Sequence, residues 1–242
     1  MKKKLYITGI VICAIVFCVF LFKVVDYYTE SHKAADEFAQ LAEKVEQRSE
    51  QSPLKKYMEL YKQNNDMAGW ISIEDTKINY PVMYTPDAPG FYLQHNFEKK
   101  YSVYGVPYIA EQCNPAKPSD NIIIYGHHMK DGTMFAGLMD YANEEFYKKH
   151  KIIHFNILNQ TADYEIVAVF TTAANNTGLK YYLFTDAQKA KDFNAYIDEC
   201  KKNSLYAIKV TAEYGDKLIT LSTCEDAGAS RRIVVVAKKI TE

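Results

Sequence analysis

Hydrophobic and polar positions divide the chain at about Met67. Before it, Leu5 to Phe22 runs for 18 residues without a charge, directly behind Lys2, Lys3 and Lys4. That length is about the minimum that crosses a bilayer as a helix. No small-residue cleavage site follows, since the chain continues Lys23-Val24-Val25-Asp26, so the segment reads as an uncleaved signal anchor. Positive charge is heavier ahead of the span, which leaves the N-terminus in the cytoplasm and the rest of the chain outside. From Ser31 to Arg48, apolar residues at Ala35, Phe38, Leu41, Ala42 and Val45 form a helical stripe. A second helix follows, with Ser52 as N-cap, Pro53 at the first helical position, and Leu54, Tyr57, Met58 and Tyr61 on one face. The two read as a stalk.

Beyond Met67 the period falls to two. Trp70 to Ile73 and Ile78 to Met83 alternate as half-buried strands, with Pro81 placing the second near an edge. Tyr104 to Ala110, Asn121 to Tyr125, Lys151 to Leu158 and Tyr164 to Thr172 read as further strands, and Asn159 to Asp163 as a turn. Met134 to Lys149 predicts one or two short helices. Thr185 to Lys201 predicts another, with Ala190, Phe193, Ile197 and Cys200 on its core face. Leu218 to Cys224 and Ile233 to Val236 are apolar strands joined by the turn-forming run Glu225 to Ser230. So short a loop joins antiparallel neighbours. The expected organisation is a cytoplasmic tail (1–4), a transmembrane anchor (5–25), an N-terminal helical segment (26–66) and one domain (67–242). That domain is mainly β with inserted helices, closed or nearly so.

Composition narrows the function. A net charge of −1 over 242 residues gives nucleic-acid binding no electrostatic support. The 20 Tyr and 12 Phe suit a β-rich domain. The five cysteines, at 13, 18, 113, 200 and 224, form no CxxC pair and no metal-ligand spacing. Nothing in that spacing argues for a Cys113–Cys200 disulfide, and nothing forbids one. No HExxH, GxSxG, P-loop or dinucleotide fingerprint is present.

Cys224 closes one strand of the last hairpin and Arg232 opens the other. If they face each other across the ladder, a thiol stands beside a permanent positive charge, which favours the nucleophilic thiolate. The plainer alternative is a buried cysteine at a strand end. A cysteine nucleophile acting on an amide also needs a proton donor for the leaving amine, usually histidine. Of the six histidines, His32 lies in the stalk, His95 in a polar stretch, His150 at a charged helix end and His154 inside a strand. His127 and His128 follow the apolar run Ile122-Ile123-Ile124 through Gly126, where a strand end gives way to a loop. Histidine precedes cysteine by almost a hundred residues, the reverse of the papain-like order.

These residues resemble the sortases, membrane-anchored cysteine transpeptidases of Gram-positive bacteria. Thr220-Leu221-Ser222-Thr223-Cys224, with an arginine soon after and then Ile-Val-Val-Val, is similar to the family's active-site signature. Tyr125-Gly126-His127-His128-Met129-Lys130-Asp131-Gly132-Thr133-Met134-Phe135 resembles the histidine segment of class B members, and Gly69-Trp70-Ile71 and Ile78-Asn79-Tyr80-Pro81-Val82 resemble their first strands. The resemblance implies an eight-stranded sortase β-barrel. It makes Cys224 the nucleophile, His127 the general acid and base, and Arg232, immediately before the apolar strand, the group that steadies the oxyanion, with Arg231 as the rival. Leu93, Tyr182, Leu183, Ser222 and Glu225 match positions lining the substrate groove. Two departures stand out: Pro89 occupies a position where many class B members carry Asn, and the turn after Cys224 is short for the class. The implied reaction cuts a C-terminal sorting motif of a secreted protein. It passes the acyl group to an amine of peptidoglycan or a lipid-linked precursor, with no metal or organic cofactor. A hydrolytic cysteine peptidase would use the same residues, and a non-enzymatic wall-associated module would leave them idle.

Overall fold

The computed structural model describes residues 2–47, 53–117, 119–157, 160–173, 178–224 and 231–241. The chain divides into two units, Met1–Gln40 and Leu41–Glu242. One helix, α1 (Lys2–Glu46), takes in both the apolar span and the first predicted stalk helix. The sequence reading separated the two, but Lys23 to Glu30 holds no Gly or Pro to end a helix. Its polar residues are carried on the helix itself, as where the Thr29 hydroxyl donates to the Val25 carbonyl at 2.8 Å. By length and composition α1 is able to cross a bilayer. The second helix, α2 (Pro53–Gln63), starts at the proline as expected.

Eight strands form a closed barrel: β1 (Met67–Ser72), β2 (Asn79–Met83), β3 (Tyr108–Ile109), β4 (Asn121–Tyr125), β5 (Ile152–Ile157), β6 (Asp163–Ala173), β7 (Leu218–Cys224) and β8 (Arg231–Lys239). Their order around the barrel is β1-β2-β3-β4-β7-β8-β6-β5. The central strands are buried on both faces, which is why they read as continuous apolar runs. Ile122, Ile123 and Ile124 of β4 and Ile233 to Ala237 of β8 are all buried. Each buried isoleucine or valine side chain among them contributes about 1.5–3 kcal/mol relative to exposure. Between β4 and β5 lie a 3-10 helix (Phe135–Ala142) and α3 (Glu144–Lys149), the short helices predicted there. Helix α4 (Ala190–Asn203) packs on β6 through its buried face of Phe193, Tyr196, Ile197 and Cys200. Cys113 and Cys200 are both free and buried, so they do not pair.

Pro81 sits opposite Trp70 in the β1–β2 ladder, while on its other side β2 meets β3 only at Met83↔Tyr108. The proline therefore lies where no second ladder needs its missing N–H. Two predicted elements are shorter than expected. The strand over Tyr104 to Ala110 shrinks to Tyr108–Ile109, because Gly105 turns the chain at φ +58° and Val106 N–H donates to the Tyr92 carbonyl at 2.9 Å. Helix α4 begins five residues after Thr185. The intervening backbone bonds to the start of β4 instead: Asn121 N–H donates to the Thr185 carbonyl, and Ala187 N–H to the Asp120 carboxylate.

Candidate active site

Strands β4, β7 and β8 are neighbours, and their registers bring the sequence candidates to one end of the sheet. In the parallel β4–β7 ladder Tyr125 pairs with Ser222, so two residues further along each strand's path lie His127 and Cys224. In the antiparallel β7–β8 ladder Cys224 pairs directly with Arg232. Residues so paired share a face of the sheet, the face that also carries Ser222 and Tyr125. Thr172 of β6 completes this row opposite Arg232. Arg231, one position earlier, alternates to the other face. Its guanidinium donates to the Thr171 hydroxyl at 2.5 Å.

His127 is held from several sides. Gly126 N–H donates to the Ser222 carbonyl at 3.2 Å, and Phe135 N–H to the His127 carbonyl at 2.9 Å. Glycine is required at 126, since an added Cβ would lie 2.6 Å from the Phe135 ring. The loop closes through the His128↔Met134 bridge, with Met134 at φ +57° and its N–H bonded to the Tyr80 hydroxyl at 3.0 Å. The half-exposed imidazole of His127 places Nε2 2.6 Å from the Leu93 carbonyl. A carbonyl only accepts, so Nε2 carries the proton and Nδ1 is left to exchange one.

Arg232 is half-buried. Tyr108 and Tyr125, whose rings lie 5.7 Å apart, both feel this guanidinium. Burial nonetheless holds both phenols above the ordinary tyrosine range, with Arg232 pulling the opposite way. They stay neutral at physiological pH and do not cancel the positive charge.

The groove candidates divide. Leu93 is 41% exposed and Leu183 69%, two large apolar side chains presented to solvent. Tyr182 is half-buried, and its carbonyl accepts from Gln112 Nε2 at 3.0 Å. Ser222 is buried, and its hydroxyl lies 2.7 Å from that of Tyr181. Glu225 lies outside the described residues, as does the rest of 225–230. Two contributors escaped the sequence reading. Tyr181 precedes Tyr182 in the sequence and belongs to no motif. Gly105 sat unremarked inside a predicted strand, where an interior glycine marks close backbone approach. An added Cβ there would lie 2.8 Å from the Leu93 oxygen that receives His127.

Comparison with known proteins bears on the family and the fold. The family model described as "Sortase domain" matches residues 71–240. Sortase B of Staphylococcus aureus is 32% identical over 246 residues, covering 99% of this chain and 99% of the relative. Sortase B of Listeria monocytogenes is 34% identical over 186 residues, covering 76% and 74% respectively. The solved Staphylococcus aureus sortase B–substrate complex superposes with a TM-score of 0.80 at 31% identity, covering 88% of this chain and 99% of that one.

Proposed function

The chain belongs to the sortase family of cysteine transpeptidases, and on that premise we propose that Cys224, His127 and Arg232 act together as a class B sorting site. The observation that carries the assignment is the direct β7–β8 pairing of Cys224 with Arg232, at the level where His127 leaves β4. The Cys224 thiolate attacks the carbonyl of the scissile amide, forming a C–S bond while Arg232 donates to the oxyanion. The C–N bond then breaks, and the leaving amine takes a proton from the His127 imidazolium. A thioester remains. The acceptor amine attacks it, gives a proton back to His127 and expels the Cys224 thiolate.

The donor is a secreted protein bearing a C-terminal sorting motif, as the S. aureus relative's substrate complex supports. The acceptor is an amine of peptidoglycan or its lipid-linked precursor. Leu93, Tyr182 and Leu183 line the peptide's path, with Ser222 beneath it, and Glu225 is a further contact to the peptide. Helix α1 anchors the chain in the membrane as a single-pass span, with its N-terminus in the cytoplasm and the barrel outside.

The test is the purified full chain in detergent, given a panel of C-terminal sorting peptides with and without an oligoglycine amine. The expected result is a coupled peptide–amine product that is lost in Cys224→Ala. Free acid as the sole product at saturating amine would convert the assignment to a hydrolase. Cleavage surviving in Cys224→Ala would remove the nucleophile.

A further inference from the structure

The segment 178–183 crosses the sheet as a strap. At one end the Thr172 hydroxyl of β6 donates to the Leu179 carbonyl at 3.4 Å, and Gly178 approaches Thr172 and Ala173 too closely to admit a side chain. At the other end the Tyr181 hydroxyl meets Ser222 of β7 at 2.7 Å. Strand β8 lies between β6 and β7, so the strap passes over it. Ring contacts follow that path: Tyr181 lies 6.3 Å from Phe170, which pairs with Val234, which in turn pairs with Ser222. The next row is Thr172–Arg232–Cys224. One buried hydroxyl pair therefore fastens the strap one row below the nucleophile and its arginine.

The strap ends in a 3-10 turn, Tyr181–Leu183, whose first residue is buried and whose last is 69% exposed. We propose that Tyr181 is a positioning residue whose hydroxyl, through Ser222, fixes the height at which Tyr182 and Leu183 stand over the peptide groove. Free hydroxyls at a groove floor would bind substrate directly. Here the two hydroxyls are hydrogen-bonded to each other inside the protein, so Ser222 acts on the peptide through Tyr181. Losing the bond while keeping the ring frees the strap without emptying the core.

The kinetic arm of the test rests on the functional reading above, and the exchange arm does not. In the full chain in detergent, Tyr181→Phe should raise KM for a sorting peptide about five- to tenfold, the worth of one buried hydrogen bond, with kcat changed less than twofold. Ser222→Ala should do the same. The double variant should be no worse than either single one, because both changes remove one interaction. An unchanged KM, multiplying effects, or a fall in kcat and Tm at constant KM would overturn the latch. In parallel, hydrogen exchange at the Leu183 and Phe184 amides, which bond to the Lys180 and Tyr181 carbonyls, should speed up at least threefold in Tyr181→Phe. If wild type cleaves no peptide, the functional reading falls. Unaltered exchange would then still overturn the latch by itself.

Discussion

His127 donates from Nε2 to the Leu93 carbonyl at 2.6 Å, so the backbone of one loop sets the ring orientation of a residue from another. The carbonyl is itself well fixed. Tyr92 is buried, accepts from Asn64 Nδ2 at 2.6 Å and donates to the Asp66 carboxylate at 2.8 Å. Behind the carbonyl sits Gly105 at φ +58°. Gly105→Ala would strain the backbone and push a methyl against the Leu93 and Tyr92 oxygens. The expected outcome is a loss of more than about 1 kcal/mol in stability and roughly 10²-fold in kcat/KM from a displaced imidazole. Unfolding curves and peptide kinetics measure the two effects separately. Wild-type kinetics in this variant would show that the Leu93 bond does not orient the base.

The two neighbouring arginines should behave oppositely. Arg232 pairs with Cys224, whereas Arg231 faces away and donates to Thr171. Arg232→Ala is expected to lower kcat about 10²–10³-fold, the usual cost of an oxyanion donor. Arg231→Ala removes an exposed hydrogen bond and should change kcat less than about threefold. Equal losses in the two variants would defeat the assignment of Arg232.

Thiol chemistry gives a third measurement. Burial pushes the Cys113 thiol up to about 11 and the Cys200 thiol up to about 12. At pH 7 a thiol at 11 is only about 10⁻⁴ thiolate. Iodoacetamide mapped by peptide sequencing should therefore modify Cys224 at least about 10²-fold faster than Cys113 or Cys200. A sorting peptide should protect Cys224 from the reagent. Arg232→Ala should slow its modification, and equal labelling of Cys113 would contradict the site.

How much of this was legible beforehand follows from what each residue needs. The continuous apolar runs of β4 and β8 announced strands buried on both faces, and Asn121–Tyr125 and Leu218–Cys224 have the bounds the pattern gave. The antiparallel β7–β8 pairing that joins Cys224 to Arg232 was expected from the run of turn-forming residues between the two strands. Tertiary bonds were invisible. The backbone over 185–187 is spent on Asp120 and Asn121, so helix α4 starts late. Tyr104 and Val106 are buried but lie in a loop and not in the predicted strand, because the left-handed turn at Gly105 serves the Leu93 carbonyl rather than a ladder. Tyr181 carried no local signal at all. Its role depends on a partner 41 residues away.

Asp120 supplies a pH-dependent stability that can be read apart from activity. Its carboxylate accepts from Lys217 at 2.8 Å and from Ala187 N–H at 2.9 Å, fastening the start of β4 to β7 and to the segment before α4. Burial alone would push its pKa up. The bonds to Lys217 and Ala187 outweigh it and hold the carboxyl below the usual value of 3.8. A folded value below the unfolded one means the stabilisation is fully present above about pH 4 and is lost as pH falls through the lower folded value. Asp120→Asn should therefore lower Tm at pH 7 by about 2–4 °C, corresponding to about 1 kcal/mol for a partly exposed charged pair. The gap between variant and wild type should close as acid titrates the wild-type carboxylate. Thermal scans from pH 7 to pH 2.5 measure it. A difference that stays constant across that range would mean that Asp120 acts through shape alone and that its charge contributes nothing to the suture.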